Sequence, residues 1–360
     1  MRKNIKILGA GLSGLSAAIN LSKNGFNVEV FEIRDDCGKR FHGDLEGLEN
    51  WSSKEDILDE LKSMNIDTGF KYSPFYEMIL TDGKDKVYVE SKKPLFYLVK
   101  RGTFEDCIDQ AFKNQALEEG VKIHFNTKIA PKDVDIVATG PIPGKASAVA
   151  RGIRFETNHE NIAISLVNKE TSYKGYSYLL VNDGYGCICT VCAAGHKNIE
   201  AFFKNTYDMF KKLTNIDVKN EKKVGGFGTF LLIPRLKKGK TLYVGEAAGL
   251  QDLLWGFGMR YAIISGYLAA RSIIENTSYT KLVKEKLLDK HKASIVNRFF
   301  IEGYGEDYGK FLVRQAKRME PQKIAENLYK TYNLTTYGKF FYPMAWFTLL
   351  LKYREKILIF

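Results

Sequence analysis

The order of apolar and polar positions in the first 32 residues predicts a strand, a turn, a helix and a second strand. Residues 5–8 form a short apolar-rich run, and residues 12–23 carry apolar side chains at helical spacing. Asn24-Gly25 provides a stop for that helix, and residues 28–31 alternate as a strand does. This order predicts a parallel βαβ unit at the start of the chain.

Similar patterns predict elements along the rest of the chain. The helices are expected at residues 52–64 (N-cap Ser52, with Glu55 at the capping-box position), 103–120 (N-cap Thr103) and 260–275. The further strands are expected at residues 77–81, 86–89, 121–125, 136–138, 162–167, 176–181, 187–192 and 241–244. The last 80 residues look helical and aromatic, so we expect alternation of strands and helices followed by a helical region.

Residues 9–14 read GxGxxG between the first strand and the first helix. Gly9 permits a tight turn, Gly11 lets a pyrophosphate approach the backbone, and Gly14 lets the helix pack closely on the strand. The free N–H groups of the helix start favour phosphate. Glu32 is placed to accept hydrogen bonds from the ribose hydroxyls of adenosine, which disfavours NADP. The residues predicted to bind the ADP half of a dinucleotide are Gly9, Gly11, Leu12, Ser13, Gly14 and Glu32.

A second glycine-bordered helix start follows the predicted strand 241–244. Gly245-Glu246 ends that strand, and the run from Gly256 through Gly258 to Met259 opens the helix. The Glu246 carboxylate could bond polyol hydroxyls, and the glycines would let a flat ring approach the backbone. Together with Glu32, this second start indicates FAD rather than a bare nicotinamide cofactor.

With these motifs in order, the chain resembles the FAD-dependent geranylgeranyl reductase family, within the wider group that includes the aromatic hydroxylases. The resemblance spans residues 1–280 and departs at Glu246, where relatives typically carry Asp. It implies that Arg101 lies near the flavin and its phosphates and that Ala138-Thr139-Gly140 passes the adenosine side. The alternatives are a surface salt bridge for Arg101 and a plain strand–loop glycine for Gly140.

The predicted fold class is α/β. A discontinuous Rossmann-like FAD-binding domain carries an inserted antiparallel β-rich substrate domain and ends in a helical C-terminal tail. The FAD-binding domain is predicted at residues 1–60, 95–150 and 235–280. The β-rich domain is predicted at residues 61–94 and 151–234, and the helical, basic region at residues 281–360.

The loop between residues 37 and 44 holds the candidate catalytic groups, Cys37, His42 and Asp44. Reduction of an alkene by a flavin needs a proton donor as well as a hydride. The family places a Cys-Gly-Asp sequence near the flavin, and this chain has His42 where that cysteine would be. The alternative is that this loop is solvated and carries no catalytic group. Arg40, in the same loop, is a separate candidate for binding the cofactor.

The substrate candidates are aromatic. The resemblance implies an aromatic motif on a strand of the β-rich domain, here represented by Tyr176 and Tyr178, although its Trp and Pro are missing. Trp255 could cover the flavin edge or a lipid tunnel. The alternative for all three is packing in a core.

Composition refines this interpretation. The formal charge is +12, and residues 281–360 hold 16 Lys and Arg against eight Asp and Glu. Lys outnumbers Arg, which we interpret as composition bias, and we expect no nucleic-acid partner. The five cysteines are odd in number, so we expect reduced thiols and a cytoplasmic location. Cys189 and Cys192 form a CxxC motif followed by His196, which leaves a zinc site or a redox pair as alternatives to core thiols; we predict no metal.

Residues 340–351 carry no charge and are too few to span a bilayer. Lys339 precedes them, and Lys352, Arg354 and Lys356 follow, a pattern typical of a helix in the membrane interface. Packing on the protein body is the alternative. The first of these two alternatives predicts that the protein contacts the inner face of the membrane peripherally.

The function predicted from these features is reduction of isoprenoid double bonds of a lipid or polyprenyl compound by reduced FAD. The electrons must come from an external donor (nicotinamide, ferredoxin or another), because no second nucleotide motif is visible. The alternatives are an FAD-dependent monooxygenase of an apolar or aromatic substrate and a flavin-binding membrane electron-transfer protein. A halogenase is disfavoured because the chain has no WxWxIP-like run.

Overall fold

A computed structural model describes residues 3–353 of the protein. Its strands are β1 (Asn4–Leu8), β2 (Asn27–Phe31), β3 (Leu45–Glu49), β4 (Tyr72–Phe75), β5 (Glu77–Thr81), β6 (Lys86–Glu90), β7 (Phe96–Lys100), β8 (Lys122–His124), β9 (Ile136–Val137), β10 (Ala148–Glu156), β11 (Ile162–Leu166), β12 (Tyr176–Asn182), β13 (Tyr185–Cys192), β14 (Lys219–Gly228), β15 (Lys237–Lys238) and β16 (Thr241–Tyr243). Its α-helices are α1 (Leu12–Lys23), α2 (Ile57–Ser63), α3 (Ile108–Glu118), α4 (Ile199–Thr214), α5 (Met259–Ile274), α6 (Tyr279–Lys286), α7 (Leu288–Tyr304), α8 (Tyr308–Ala316), α9 (Pro321–Thr331) and α10 (Thr336–Lys352).

The nucleotide-binding part is built on a six-stranded sheet in the order β15-β16-β9-β1-β2-β8. All pairs in it are parallel except β15–β16. Helix α1 packs against α3 and α5, and its residues 12–21 are all buried. The predicted βαβ unit is therefore present, and β1 and β2 meet in parallel register from Asn4 opposite Asn27 onward.

A seven-stranded sheet in the order β14-β10-β13-β12-β11-β5-β6 lies beside it. Its pairs are antiparallel apart from β11–β5. The predicted Asp82-Gly83 hairpin joins β5 to β6. Helix α4, which the sequence pattern did not single out, covers one face and buries Phe210 against Ile153 and Leu179. This sheet matches the antiparallel β-rich part of the predicted fold class.

A three-stranded sheet, β3-β7-β4, connects the two larger sheets. Strand β4 comes from residues 61–94, the same stretch that supplies β5 and β6 to the seven-stranded sheet. One stretch of chain thus contributes strands to two different sheets. Helices α6–α10 form the C-terminal region, as predicted, and α10 packs mainly on α7.

Two predicted helix starts are wrong. The helix expected from Ser52 begins at Ile57, and Asp56 is its N-cap, accepting from the Leu58 N–H at 2.9 Å. Ser52 Oγ instead lies against Glu49, to which it donates at 2.8 Å. The side chain that accepts a helix N–H is that of Asp56, so the helix starts after Asp56.

The helix expected from Thr103 begins only at Ile108, after Cys107. The carboxylate of Asp109 accepts from the Gly102 N–H at 3.0 Å and from the Arg101 side chain. These bonds fold residues 102–106 back over the helix start, so the first four predicted helical residues form a turn.

Candidate functional site: a dinucleotide cleft

The glycine turn after β1 places three glycines in three different environments. At Gly9, φ is +103° and an added Cβ would lie 2.4 Å from the Ala138 carbonyl oxygen. At Gly14 an added Cβ would lie 2.1 Å from the Gly9 carbonyl oxygen. An added Cβ at Gly11 meets nothing within 4 Å. Packing of the protein therefore requires Gly9 and Gly14, whereas the space above Gly11 is open to a ligand.

Glu32 lies at the end of β2, beside this turn. Its carboxylate accepts from the Ala10 N–H at 2.9 Å and from the Arg34 N–H at 3.0 Å. These two bonds fix the carboxylate next to the start of α1, where no side chain caps the helix. The geometry fits an adenosine ribose bonded to Glu32 and a pyrophosphate at the helix N-terminus.

Helix α5 and the turn before it pack against the start of α1. An added Cβ at Gly245 would lie 3.0 Å from Ser13 Oγ, and one at Gly266, in the middle of α5, would lie 2.1 Å from the Ser13 carbonyl oxygen. The Gly245 N–H donates to Ser265 Oγ at 2.8 Å, and no side chain caps α5 after Gly258. The turn at Gly245 therefore packs at Ser13, and the starts of α1 and α5 both lack a side-chain cap, as expected if one extended dinucleotide contacts both.

Glu246 and Arg40 form an ion pair across this cleft. Arg40 Nη1 lies 3.0 Å from Glu246, and Arg40 Nη2 donates to the Phe227 carbonyl oxygen at 2.5 Å. The Thr229 N–H donates to the other Glu246 oxygen at 2.7 Å. Burial raises the pKa of Glu246, and the Arg40 charge opposes that rise. An added Cβ at Gly140 would lie 3.6 Å from Arg40 Nη1, so Arg40 lies between Gly140 and Glu246.

Arg101 is buried and held by carboxylates. It bonds both oxygens of Asp109, at 2.9 and 3.0 Å, and Glu46 at 2.9 Å, and its guanidinium lies 3.9 Å from the centre of the Phe41 ring. Burial works against its charged form, but Asp109 and Glu46 raise the pKa of Arg101 above its ordinary value. These bonds make Arg101 a positioning residue between β7 and α3, while its contact with the flavin or its phosphates stays a prediction.

The three candidate catalytic residues of this loop differ in burial. Cys37 is buried in the core, and burial, followed by the charge of Asp36, raises the pKa of its thiol. His42 is exposed, and its backbone N–H donates to Asp44 Oδ1 at 3.0 Å. Asp44 is buried, and burial, followed by the charge of Glu46, raises its pKa to about 6. The Asp44 carboxyl therefore changes its protonation state near pH 6, whereas the Cys37 thiol stays protonated.

The three aromatic substrate candidates lie together. Tyr176 Oη donates to the Trp255 carbonyl oxygen at 2.6 Å, and the two rings meet edge to face at 5.3 Å. The Tyr176 and Tyr178 rings are 6.0 Å apart. Tyr178, Trp255 and Phe257 pack on a hydrophobic cluster of residues from the seven-stranded and three-stranded sheets that includes Phe96, and Tyr176 contacts both Tyr178 and Trp255. The cluster forms an apolar wall beside the glycine-rich turn before α5.

Asp252 fixes the backbone that carries Trp255. It accepts from the Trp255 N–H at 2.7 Å, from the Leu254 N–H at 3.0 Å and from Tyr332 Oη at 3.0 Å. Tyr332 follows α9, so the C-terminal region takes part in shaping the aromatic wall.

Two residues of the site had no signal in the sequence. Glu46 sits between Arg101 and the tyrosine wall, and its charge contributes to raising the pKa of Asp44. Gln251 donates to the Gly256 carbonyl oxygen at 3.0 Å, and its Nε2 lies 3.3 Å from an added Cβ at Gly258.

The cysteines show no sign of a metal centre. Cys37, Cys107, Cys187, Cys189 and Cys192 are buried and unpaired. Within residues 3–353 no group of three or more His, Cys, Asp or Glu side chains is arranged to hold a metal ion. Burial raises the pKa of Cys189 to about 12, so this thiol stays protonated.

These features together define the class of fold. A parallel Rossmann-type sheet, two helix starts without side-chain caps, and an antiparallel sheet beside them form the fold of the FAD-dependent oxidoreductases. The predicted fold class is confirmed. FAD is the cofactor that this fold and the residues around Gly11, Glu32 and Glu246 fit.

Comparisons with known proteins agree with this class. Residues 7–45 match the family model of the NAD(P)-binding Rossmann-like domain. The hydroxysqualene dehydroxylase of Sinorhizobium fredii is 52% identical over 40 residues, 11% of this chain and 10% of that protein. The thiamine thiazole synthase of Thermotoga maritima is 28% identical over 175 residues, 46% of this chain and 61% of that protein. The chain thus matches less than two thirds of the length of either relative.

Solved structures match over nearly the whole chain. A geranylgeranyl bacteriochlorophyll reductase-like protein from Thermoplasma acidophilum aligns with a TM-score of 0.64 at 15% identity, covering 99% of this chain and 100% of that one. A flavin-dependent brominase aligns with a TM-score of 0.65 at 14% identity, covering 98% and 100%. An oxygenase of 2-methyl-3-hydroxypyridine-5-carboxylic acid aligns with a TM-score of 0.52 at 16% identity, covering 89% and 98%. The resemblance predicted from the motifs is confirmed at the level of the fold.

Proposed function

We propose that this chain is an FAD-dependent oxidoreductase that reduces double bonds of the geranylgeranyl type in membrane lipids or related polyprenyl compounds. The observation that carries the proposal is the contact among the rings of Tyr176, Tyr178 and Trp255, which form an aromatic wall beside the glycine-rich turn before α5. Similarity in fold to the geranylgeranyl bacteriochlorophyll reductase-like protein supports it.

The wall suits a substrate that offers only apolar surface. The Tyr176 hydroxyl is already bonded to the Trp255 carbonyl oxygen, so the ring itself is what remains for a ligand. Burial raises the pKa of Tyr176 and Tyr178, which keeps both phenols neutral. A neutral aromatic wall stabilises an isoprenoid chain by contact and excludes water from the alkene.

The proton would come from the loop at His42 and Asp44. Bound, reduced FAD supplies a hydride to one alkene carbon, and the other carbon needs a proton. Below about pH 6 the Asp44 carboxyl holds a proton, and the His42 N–H fixes its position. An external donor (nicotinamide, ferredoxin or another) would supply the two electrons that each turnover consumes.

The test is a single-turnover reaction. The FAD-loaded protein is reduced anaerobically and mixed with a geranylgeranyl glycerol ether; flavin absorbance and product mass are followed. We expect reoxidation of the flavin together with a product two mass units heavier for each bond reduced. A reduced flavin that stays reduced in the presence of this lipid contradicts the substrate proposal.

The role of Asp44 is tested by pH. Because the protonated carboxyl is the donor and its pKa is about 6, we expect the reoxidation rate to fall as pH rises from 6 to 8. Asp44→Asn should lower the rate by about 100-fold or more and remove this pH dependence, since general acid catalysis contributes roughly 10²–10⁴-fold. The exposed Asp133→Asn is the control; equal rates in both variants would exclude Asp44.

A second candidate is an FAD-dependent monooxygenase of an apolar or aromatic substrate. The fold similarity to the pyridine carboxylic acid oxygenase favours it. It predicts oxygen consumption and nicotinamide oxidation that depend on an aromatic substrate, with no reaction of the geranylgeranyl lipid under anaerobic conditions. Flavin reduction without turnover of either substrate would favour the third candidate, a flavin-binding membrane electron-transfer protein.

A further inference from the structure

A polar cavity of about 300 Å³ is lined by residues of α2, α5, α6, α7 and α9. Four cationic side chains line it, together with one carboxylate, Glu60. The cations are Lys54, Arg260, Lys286 and Lys290. A second carboxylate, Glu49, lies 3.9 Å from Arg260, so four cations face two carboxylates and the site keeps an excess of positive charge.

The Glu60 carboxylate is already paired with two of these cations. It bonds Lys286 Nζ at 2.7 Å and the terminal nitrogen Nη2 of Arg260. Arg260 is 3% exposed, and its Nε is buried without a hydrogen-bond partner among the described residues. Arg260 therefore lends the cavity its positive charge, while its Nε–H is shielded from the open space.

Lys290 is the second unbalanced cation. Its Nζ bonds the Ser52 carbonyl oxygen and Asn333 Oδ1, the latter at 3.2 Å, and both acceptors are neutral. Burial, assisted by the charges of Arg260 and Lys286 against those of Glu49 and Glu60, lowers the pKa of Lys290 to about 8. Such a group is unfavourable when charged in an empty cavity and favourable beside an anion.

We propose that this cavity binds a phosphate or a phosphate monoester through Lys290 and Lys54, beside the fixed positive charge of Arg260. The two lysines would supply hydrogen-bond donors and charge without rigid geometry. The volume admits a phosphate with a small organic group attached. The proposal does not depend on the reaction catalysed in the dinucleotide cleft.

The test is calorimetric titration in the presence of saturating FAD, which keeps the glycine turn of α1 from contributing. Inorganic phosphate, glycerol 3-phosphate and a short-chain phosphatidic acid below its micelle concentration are the probes. We expect binding of all three, weakened at least tenfold by Lys290→Gln. The exposed Lys284→Gln should bind as the unaltered protein does.

The three probes separate the two sources of a phosphate group. Tighter binding of phosphatidic acid than of glycerol 3-phosphate would assign the site to a lipid headgroup, and equal binding would assign it to a soluble ester. Lys54→Gln, at an exposed position, should weaken binding too and serves if Lys290→Gln fails to fold. The proposal would be overturned if none of the probes bound at concentrations of about 10 mM. Equal binding by Lys290→Gln and Lys284→Gln would also overturn it.

A different observation concerns α10. One face of this helix packs on α7 and buries Ala345 and Leu349. The opposite face exposes an apolar stripe at spacings of three and four residues, with exposed fractions from 48% to 78%. The stripe consists of Tyr337, Phe340, Met344, Phe347 and Leu351. Exposed patches of this kind mark interaction sites.

The charge around the stripe favours a lipid surface. Helix α10 contains no Asp or Glu, and Lys339 and Lys352 flank its apolar part. Arg354 and Lys356, predicted to extend this flank, lie outside the described residues. Three of the five stripe residues are aromatic, which is typical of helices in the membrane interface, whereas paired helices prefer aliphatic residues at such positions. Within residues 3–353, no helix is both long and apolar enough to cross a membrane.

We infer that α10 lies in the interface of an anionic membrane with this stripe inserted. The test is sedimentation of the full chain with vesicles of phosphatidylglycerol and phosphatidylcholine. We expect binding that the double variant Phe340→Ser/Phe347→Ser lowers at least tenfold, while the double variant Tyr88→Ser/Ile233→Ser, at exposed positions elsewhere, leaves it unchanged.

Equal sedimentation of the two double variants would overturn this inference. So would a dimer, seen by light scattering without lipid, that dissociates in the Phe340→Ser/Phe347→Ser variant, because the stripe would then belong to a second copy.

Discussion

The starts of α1 and α5 look alike in sequence but use their glycines differently. Around α1, added Cβ atoms at Gly9 and Gly14 would collide with backbone oxygens, whereas one at Gly11 meets open space. At the start of α5, an added Cβ at Gly258 would meet only the flexible Gln251 side chain, at 3.3 Å. A glycine that faces the protein serves the fold, and a glycine that faces open space leaves room for a ligand.

The largest effect is expected from Gly14→Ala. Its methyl would lie 2.1 Å from a backbone oxygen, so the helix must move away from the strand. We expect the free energy of unfolding to fall by about 3 kcal/mol or more, as overpacking of a dense core does. Denaturant unfolding measures this, with Gly11→Ala in the same turn as the control. Equal stability of the two variants would contradict the distinction between these glycines.

Gly11→Ala is expected to act on the cofactor. The methyl has room in the protein, so stability without FAD should stay within about 0.5 kcal/mol. FAD should bind at least tenfold more weakly, roughly 1.4 kcal/mol, because the methyl occupies the space that the pyrophosphate approaches. Fluorescence titration with FAD gives the dissociation constant, and Gly69→Ala in an exposed loop is the control. Unchanged FAD affinity would place the pyrophosphate elsewhere.

Gly258→Ala should give the smallest effect. The Gln251 side chain can move aside, so we expect unchanged stability and FAD binding weakened about threefold, roughly 0.6 kcal/mol. The same titration measures it, alongside the absorption spectrum of the bound flavin. A loss as large as that in Gly11→Ala would mean that the flavin ring presses on this turn more closely than the pyrophosphate does on Gly11.

Local patterns predicted the nucleotide-binding part well. Helix α1 spans the predicted residues 12–23, because its apolar spacing and its Asn24-Gly25 stop are both local signals. The starts of α2 and α3 were predicted too early, because Ser52 and Asp109 form hydrogen bonds that no spacing rule reveals. The three-stranded sheet was missed for the same reason, since β3 and β7 are far apart in sequence.

The residues of the site likewise fall into those that the sequence predicted and those that it did not. Glycines and Glu32 follow from the motif, and the structure brings the three aromatic candidates together as expected. Glu46 and Gln251 could not be found, because their importance comes from what they touch rather than from their neighbours in sequence. The carboxylates that hold Arg101 were likewise invisible until β3, β7 and α3 were placed together.

The hydrogen bond from Tyr332 to Asp252 determines how short a fragment of the chain can be and still hold the aromatic wall in place. Asp252 holds the backbone of Leu254 and Trp255, and its buried carboxylate depends on a hydroxyl supplied 80 positions later. Helix α9 carries that hydroxyl into place. A fragment that ends after α5 would keep both glycine turns and still lose the anchor of its aromatic wall, so the shortest fragment with an intact site extends beyond residue 332.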